Sequence, residues 1–438
     1  MKSETAKELL RFIKHCPSSF HTVKTVADLL VENGYTKLSE STPWALRAGG
    51  KYFVTRNHSS VIAFQIPYRD FSAFLMTASH SESPAFKIKP DPEMPVKNYY
   101  VKLNTEKYGG MLYTTWMDRP LSVAGRIVVK AADGIETRLV DIDRDLLMIP
   151  NLAIHMCRSA NEGVALNPQT DLLPLFGGSD AAGSFWPMIA DTAGVKVPDI
   201  LGSDLFLYCR TPGSIWGSQK EFLSAPRLDD LECVFATLKG FLAAKDSDAA
   251  PVFCVFDNEE VGSGTKQGAK STFLADTLYR IFHGMNRDYE DYLRTLASSF
   301  MLSADNGHAV HPNHLEKSDP THQPVLNGGV LIKYNANQRY TTDAVSEAVF
   351  QHICKSADIP VQKYVNRSDV PGGSTLGNLS GEKVSVCCAD IGLAQLAMHS
   401  AYETAGCMDL GYLCRAAEAF YQTRLRTSED GNWEIAGI

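Results

Sequence analysis

Residues 251–260, PVFCVFDNEE, contain the clearest buried strand of the sequence, and this strand runs directly into acidic side chains. An uninterrupted apolar run of this length is typical of a strand that helices cover on both faces. Just before it, Leu231, Val234 and Leu238 recur at three- and four-residue steps, which predicts a helix over 229–244. Because strands and helices alternate in this way, the sequence predicts an α/β layered fold.

Three other apolar runs also lead into ionisable residues. The runs, each with an ionisable residue just beyond its end, are 71–78 with His80, 300–304 with Asp305, and 384–389 with Asp390. A short helix-like run is predicted to present His399 beyond the last of these strands. Ligands of open α/β sheets bind outside the carboxyl ends of the strands. The groups expected to converge there are His80, Asp229, Glu259, Glu260, Asp305 and His399.

Imidazoles and carboxylates together form a nitrogen and oxygen ligand set that suits Zn²⁺, Mn²⁺ or Co²⁺. One carboxylate that bridges two ions is the usual arrangement of two-metal hydrolases. In the adjacent pair Glu259 and Glu260, one side chain can bind metal while the other abstracts a proton from water. Each cluster also has an ordinary structural explanation, such as a solvated turn or a helix cap. The residues alone leave the two interpretations equally open.

The rest of the chain divides into regions of different pattern. Residues 4–33 predict two helices, whereas residues 87–222 are rich in strand-like runs such as Leu112–Trp116, Gly125–Val129 and Asp204–Tyr208. This β-rich middle is predicted to be inserted into the α/β unit.

Composition excludes several classes of protein. The 42 Lys and Arg residues against 50 Asp and Glu give a net charge of −8, which argues against nucleic acid or an anionic membrane as a partner. No apolar run approaches the length of a membrane span, and the N-terminus lacks the pattern of a secretory signal. The ten cysteines form no C-x-x-C pair, as expected for free thiols in the cytoplasm.

Several longer blocks of sequence carry a resemblance to a known family. They are 108–110, 116–119, 149–155, 227–230, 256–263, 303–313, 332–335, 337–340, 373–377 and 395–400. In this order they resemble the aspartyl aminopeptidase family of metallopeptidases, family M18, over nearly the whole chain. The resemblance implies an α/β/α-type metallopeptidase domain built from 1–86 and 223–438, with 87–222 as an inserted β-rich domain for dimerisation and assembly.

The resemblance also implies a ligand set for two divalent ions, Zn²⁺ first and Mn²⁺ or Co²⁺ as alternatives. His80 and Asp305 would hold one ion, Glu260 and His399 the other, and Asp229 would bridge them. Further roles are implied for other residues. Glu259 would be the general base, and His155 would reach into the active site of the neighbouring subunit and stabilise the oxyanion there. His308, Lys333 and Tyr340 would contact the substrate.

The implied activity is removal of N-terminal residues, preferably Asp or Glu, from short peptides in the cytoplasm. Lys333 would favour a substrate whose N-terminal residue is acidic, because an unpaired ammonium in a dry pocket is costly. Alternatively, a carboxylate of the protein itself pairs with Lys333. The implied assembly is a homododecamer built from dimers. The same scaffold with a neutral or broad preference is one alternative function, and a non-catalytic assembly or cargo protein is another.

Two positions depart from the family pattern. Glu82 stands where relatives usually have Asp, and it is expected to orient His80. Asn258 stands where relatives commonly have His. Neither change removes a proposed metal ligand or the proposed base.

Overall fold

The computed structural model describes residues 2–245 and 247–437. Within these residues the largest sheet has nine strands. In spatial order the strands are Thr36–Leu38, Lys51–Arg56, Ser60–Gln65, Ala249–Phe256, Ala73–His80, Phe300–Ala304, Cys387–Gly392, Val330–Tyr334 and Val361–Val365. The four strands at 249–256, 73–80, 300–304 and 387–392 are mutually parallel neighbours. Their carboxyl ends therefore meet at one edge of the sheet.

Helices cover both faces of this sheet. The α-helices of the described part are Lys2–Lys14, Ser19–Glu32, Phe185–Ala193, Leu228–Ala243, Phe273–Gly284, Tyr289–Ala297, Ala344–Ser356, Leu376–Ser380 and Cys407–Gln422. Along the strand 249–256, Phe253 and Val255 pack into one core, and Val252 and Cys254 into the other. The predicted α/β/α layering is confirmed, because the continuous apolar strand supplies side chains to both layers. No helix of the described part is long and apolar enough to cross a bilayer.

A second sheet is antiparallel and has six strands within the described residues. In spatial order they are Gly134–Asp141, Leu121–Ala131, Ile200–Cys209, Ala85–Val96, Tyr100–Tyr108 and Leu175–Gly178. All of them fall between residues 85 and 209. The independence of the predicted insert, 87–222, as a domain stays a prediction.

A third, smaller sheet lies beside the carboxyl edge of the large one. Its strands, in spatial order, are Ser214–Trp216, Phe222–Ala225, Glu403–Gly406, Ala394–Leu396 and Gly307–His308. The strand 214–216 falls inside the predicted insert but pairs with 222–225 in this third sheet. The chain ends in the hairpin Arg424–Glu429 and Asn432–Ala436.

Three local predictions were wrong. The predicted strand Leu112–Trp116 is a 3₁₀ helix at Tyr113–Trp116, where the Thr115 hydroxyl donates to the Leu112 carbonyl and closes a turn. The strand predicted at 384–389 occupies Cys387–Gly392 instead. The helix-like run before His399 is the short strand Ala394–Leu396 followed by a turn. Short apolar runs fit a strand or a helix equally well, so tertiary pairing decides them.

Candidate metal centre

The site forms at the edge where the parallel strands end. His80 is the last residue of its strand and lies opposite Phe256 in the sheet register. After Phe256 the chain turns through Asn258, whose φ is 63°, and places Glu259 and Glu260 in a short 3₁₀ turn. The polar residues that follow two neighbouring strands are thereby brought side by side.

Asp305 enters the site from the next strand. The strand Phe300–Ala304 pairs with Cys387–Gly392, and the Asp305 amide donates to the Ile391 carbonyl at 3.0 Å. A Cβ on Gly392 would lie 1.9 Å from the Asp305 carbonyl oxygen, so only glycine permits this approach of the two backbones. Asp305 is held at a fixed position as a result.

Asp229 lies between the two histidines. It stands in the first turn of the helix Leu228–Ala243, but its φ of −81° and ψ of 106° are not helical. Its Oδ1 is 3.4 Å from His80 Nε2, and its Oδ2 is 3.3 Å from His399 Nε2. One carboxylate therefore faces both imidazoles, the arrangement that a bridging ligand requires.

Each histidine also faces a second carboxylate. His80 Nε2 is 3.9 Å from Asp305 Oδ1, and His399 Nε2 is 3.3 Å from Glu260 Oε1. The structure thus brings together two half-sites, one at His80 and one at His399. They share Asp229, and their side chains come from positions between 80 and 399 of the sequence. These five side chains are the ones that the resemblance implies as ligands.

Backbone carbonyls fix the orientation of both imidazoles. His80 Nδ1 is 3.0 Å from the Glu82 carbonyl oxygen, and His399 Nδ1 is 2.6 Å from that of Gly110. A carbonyl only accepts, so each Nδ1 carries the proton and each Nε2 presents a lone pair to the carboxylates. This is the tautomer in which histidine binds a metal through Nε2.

The donor set fits divalent cations. Asp229 Oδ1 and Glu260 Oε1 are buried and have no hydrogen-bond partner among the described residues. Buried, unpaired carboxylate oxygens are costly unless they are paired or coordinate a metal. His80, Asp229 and Asp305 would hold one ion, and Asp229, Glu260 and His399 the other.

Glu259 lies beside this ligand set. It offers an oxygen within 4.8 Å of atoms of His80 and Glu260. Burial raises the pKa of the Glu259 carboxyl well above its usual range. Dications next to it would instead favour its ionised form. Glu259 is therefore placed to take and return a proton at the site.

Lys333 is paired inside the protein. Its side chain is 1% exposed, its Nζ donates to the Asn306 carbonyl at 2.9 Å, and Asp305 Oδ2 lies 3.3 Å away. The Tyr340 ring centroid is 5.2 Å from the ammonium. His308, by contrast, is exposed and packs edge-on against Tyr364. The protein carboxylate that was one alternative for Lys333 is Asp305.

His155 is not joined to the cluster by any hydrogen bond or ion pair within the described part of its own chain. It lies in an exposed stretch without strands, where Leu152, Ile154 and Met156 are also exposed, to 61%, 48% and 75%. A role of His155 at this site would have to come from another copy of the chain.

Two neighbours of the ligands were missed in the sequence. Glu403 is buried, and its two oxygens accept the backbone N–H groups of Asp229 at 3.0 Å and His399 at 2.7 Å. Asp230 Oδ2 accepts the backbone N–H of His80 at 3.2 Å. The Asp229-Asp230 pair was visible in the sequence, but no spacing signal distinguishes the buried Glu403 from glutamates of the surface.

The two departures from the family pattern are linked through one hydroxyl. Tyr108 donates to Glu82 Oε1 at 3.2 Å, and Asn258 Nδ2 donates to the Tyr108 oxygen at 2.9 Å. The same Glu82 oxygen accepts the backbone N–H of Glu260 at 3.2 Å. Glu82 therefore orients His80 through its carbonyl and Glu260 through its carboxylate.

Comparison with known proteins gives the family. The profile of the family described as Aminopeptidase I zinc metalloprotease (M18) matches residues 12–421. A "Probable M18 family aminopeptidase 2" of Clostridium acetobutylicum is 46% identical, with 95% of this chain and 98% of that protein covered.

Solved structures agree with this. The structure titled "Cryo-EM structure of the Ape4 and Nbr1 complex" has a TM-score of 0.93 at 32% identity, covering 96% of this chain and 86% of that one. The mApe1 dodecamer of S. cerevisiae has a TM-score of 0.84 at 27% identity, covering 95% and 96%. The chain therefore belongs to the M18 family of zinc metalloproteases and is a metallo-aminopeptidase.

Proposed function

We propose that this metallo-aminopeptidase is dinuclear and removes N-terminal Asp or Glu from peptides. The observation that carries the dinuclear assignment is the position of Asp229, 3.4 Å from one imidazole and 3.3 Å from the other. A second carboxylate at each imidazole completes two nitrogen and oxygen ligand sets, which suit Zn²⁺ and also Mn²⁺ or Co²⁺.

The ions would supply Lewis acidity to the scissile carbonyl and lower the pKa of a water molecule. Glu259 takes the proton of the attacking water and delivers it to the leaving amine, which its place beside both half-sites allows. His155 of the partner subunit donates a hydrogen bond to the oxyanion. Glu82, Glu403 and Asp230 keep the ligands in position through the contacts described above.

The acidic preference rests on Lys333. Its ammonium has three donors, of which Asn306 and Asp305 take two, so one remains for a substrate carboxylate. Burial lowers the pKa of Lys333, but Asp305, Tyr340, Asp390 and Cys233 together raise it by more, so the ammonium stays charged. The existing pair with Asp305 already neutralises the charge of Lys333. This pairing favours the second candidate function, an aminopeptidase with a neutral or broad substrate preference.

We also propose self-assembly into a homododecamer built from dimers in the cytoplasm, with 87–222 as the inserted assembly domain. Three observations support this. The exposed apolar side chains around His155 are of the kind that a second copy would cover. The similar mApe1 of S. cerevisiae is a dodecamer. The cysteines of the described part are free thiols, as a reducing compartment requires.

Metal content and substrate preference of the purified protein test the proposal together. We expect about two ions per chain, loss of turnover on chelation, and recovery with Zn²⁺, Mn²⁺ or Co²⁺. Among otherwise identical peptides, kcat/KM should be highest for N-terminal Asp and Glu and lower for Leu and Lys. A single tightly bound ion in the active enzyme would contradict the dinuclear site. Equal kcat/KM values for Asp and Leu peptides would favour the broad preference.

A further inference from the structure

A cavity of about 430 Å³ lies between the large sheet and the second sheet. Helix residue Phe20, strand residue Tyr208 and Arg227 line it from three different elements. None of the five proposed metal ligands, nor Glu259, is among its lining residues. The cavity therefore lies beside the metal centre, and Glu82, Tyr108, Asn258 and Glu403 border both. Polar side chains outnumber apolar ones in the lining and include the carboxylates of Glu82, Asp204, Asp257 and Glu403, while five aromatic rings form its apolar part. A cavity of this size is within the range of small-ligand sites.

Arg227 is the unusual member of the lining. Its Nη2 donates to the Ile13 carbonyl at 3.2 Å, but Nε and Nη1 are buried without a hydrogen-bond partner among the described residues. No carboxylate of the described part lies within 4.0 Å of its nitrogens. The guanidinium packs over the Tyr208 ring, whose centroid is 5.6 Å away. A buried charge without a partner is costly, and a bound anion would offset that cost.

Two other cationic side chains of the lining have an ion-pair partner. Lys87 and Arg126 also line the cavity, and both pair with Asp204, at 2.8 and 2.9 Å. Trp116 lines it as well, and its indole N–H is buried without a partner among the described residues. Arginine and tryptophan side chains only donate, so the missing partner is an acceptor.

We propose that this cavity binds a small monocarboxylate with an apolar body. The carboxylate pairs with the guanidinium of Arg227, which accepts such a group with parallel N–H donors. The apolar body lies among the aromatic side chains, including Phe20 and Tyr208, that line the cavity. This site is independent of the proposed peptidase chemistry and of the number of metal ions.

Benzoate and benzamide form a matched pair of probes, because they share shape and differ in charge. Calorimetric titration of the metal-loaded protein should show binding of benzoate, and benzamide should bind at least about 10-fold more weakly. Arg227→Met should weaken benzoate binding by about 10-fold or more, with Arg227→Lys intermediate. Lys87→Met is the control, since Lys87 lines the same cavity but is already paired, and it should change binding by less than about 2-fold.

A structure of the wild-type protein with benzoate keeps the test valid if the Arg227 variants fail to fold. Density for benzoate beside Arg227 is the expected result. Benzoate bound only at the metal centre, with equal affinity in wild type and Arg227→Met, would overturn the proposal. So would a carboxylate of a second copy of the chain found paired with Arg227 in the assembled protein, or no benzoate binding at all.

Discussion

Glu403 Oε2 accepts the backbone N–H of Asp229 at 3.0 Å, although the two residues are 174 positions apart in the sequence. Its other oxygen accepts the backbone N–H of His399, so one buried carboxylate holds the backbone of two proposed ligands of the same ion. Contacts that orient metal ligands in this way commonly contribute 10- to 100-fold to metal affinity or activity, as an order of magnitude.

Replacing Glu403 by Gln should therefore weaken metal binding. An amide has one acceptor oxygen, so either Asp229 or His399 loses its backbone partner. We expect the ion to be lost at roughly 10- to 100-fold higher free-metal concentration than in wild type, measured by competition with a chelating dye. Glu434→Gln, at an exposed position of the C-terminal hairpin, is the control. Unchanged metal affinity in E403Q would show that Glu403 does not position the ligands.

Glu259→Gln should abolish most turnover and leave metal binding in place. The amide cannot take the proton of the attacking water, a contribution of about 10²- to 10⁴-fold in kcat. The readouts are kcat on an N-terminal Asp peptide and metal content per chain, with exposed Glu290→Gln as the control. An E259Q variant as active as wild type would remove Glu259 from the mechanism.

Lys333→Met tests the substrate preference. Loss of the ammonium also releases Asp305 from its 3.3 Å contact, so activity on all substrates should fall. The ratio of kcat/KM for Asp over Leu peptides cancels that common loss. We expect this ratio to drop by about 10- to 100-fold, because one charge-assisted hydrogen bond to the substrate disappears. A ratio that does not change would show that Lys333 pairs only with Asp305 and does not contact the substrate carboxylate.

The link from Glu82 through Tyr108 to Asn258 predicts coupled effects. E82D alone shortens the arm that reaches the Tyr108 hydroxyl and the Glu260 amide, at 3.2 Å each, and N258H alone alters the other contact of Tyr108. Each single variant should lower kcat/KM, and the double variant should recover part of the loss. We expect a coupling energy of at least about 0.5 kcal/mol in the double-mutant cycle. Strictly additive effects would show that Tyr108 does not connect the two positions.

The role of His155 can be tested by complementation. H155A and E259Q should each be nearly inactive, since removal of one oxyanion donor costs about 10²- to 10³-fold in kcat. Oligomers that contain both variants should regain activity, because His155 of the partner subunit can serve an intact Glu259. With random pairing in dimers, about a quarter of the sites become complete. Mixed oligomers as inactive as the parents would show that His155 does not act across subunits.

The fold and the convergence of the candidate side chains could be predicted because both follow from strong local patterns. Continuous apolar strands identify a sheet buried on both faces, and the residues after those strands meet at one edge whatever the lengths of the intervening segments. His80, Glu260 and Asp305 were therefore placed correctly beside one another. His399 was also expected there, but from a helix-like run that the structure does not contain, because it stands in a turn with a φ of 64°.

Contacts between distant residues could not be predicted. Glu403 reaches Asp229, and Tyr108 reaches Asn258, only because separate sheets pack together, and no spacing in the sequence encodes that packing. The unpaired guanidinium of Arg227 is invisible for the same reason, since charge counts do not show which arginine lacks a carboxylate. The short 3₁₀ helix at Tyr113–Trp116 has the composition of a strand, and local hydroxyl bonding decides its conformation.

The two imidazoles of the site are anchored differently. His80 ends a central strand of the large sheet and its side chain is 1% exposed, whereas His399 stands in a turn of the small third sheet and its side chain is 32% exposed. Water and chelators consequently reach one half-site far more easily than the other. On slow dialysis the enzyme should pass through a half-loaded form that keeps the His80 ion, because chelators reach the His399 ion first.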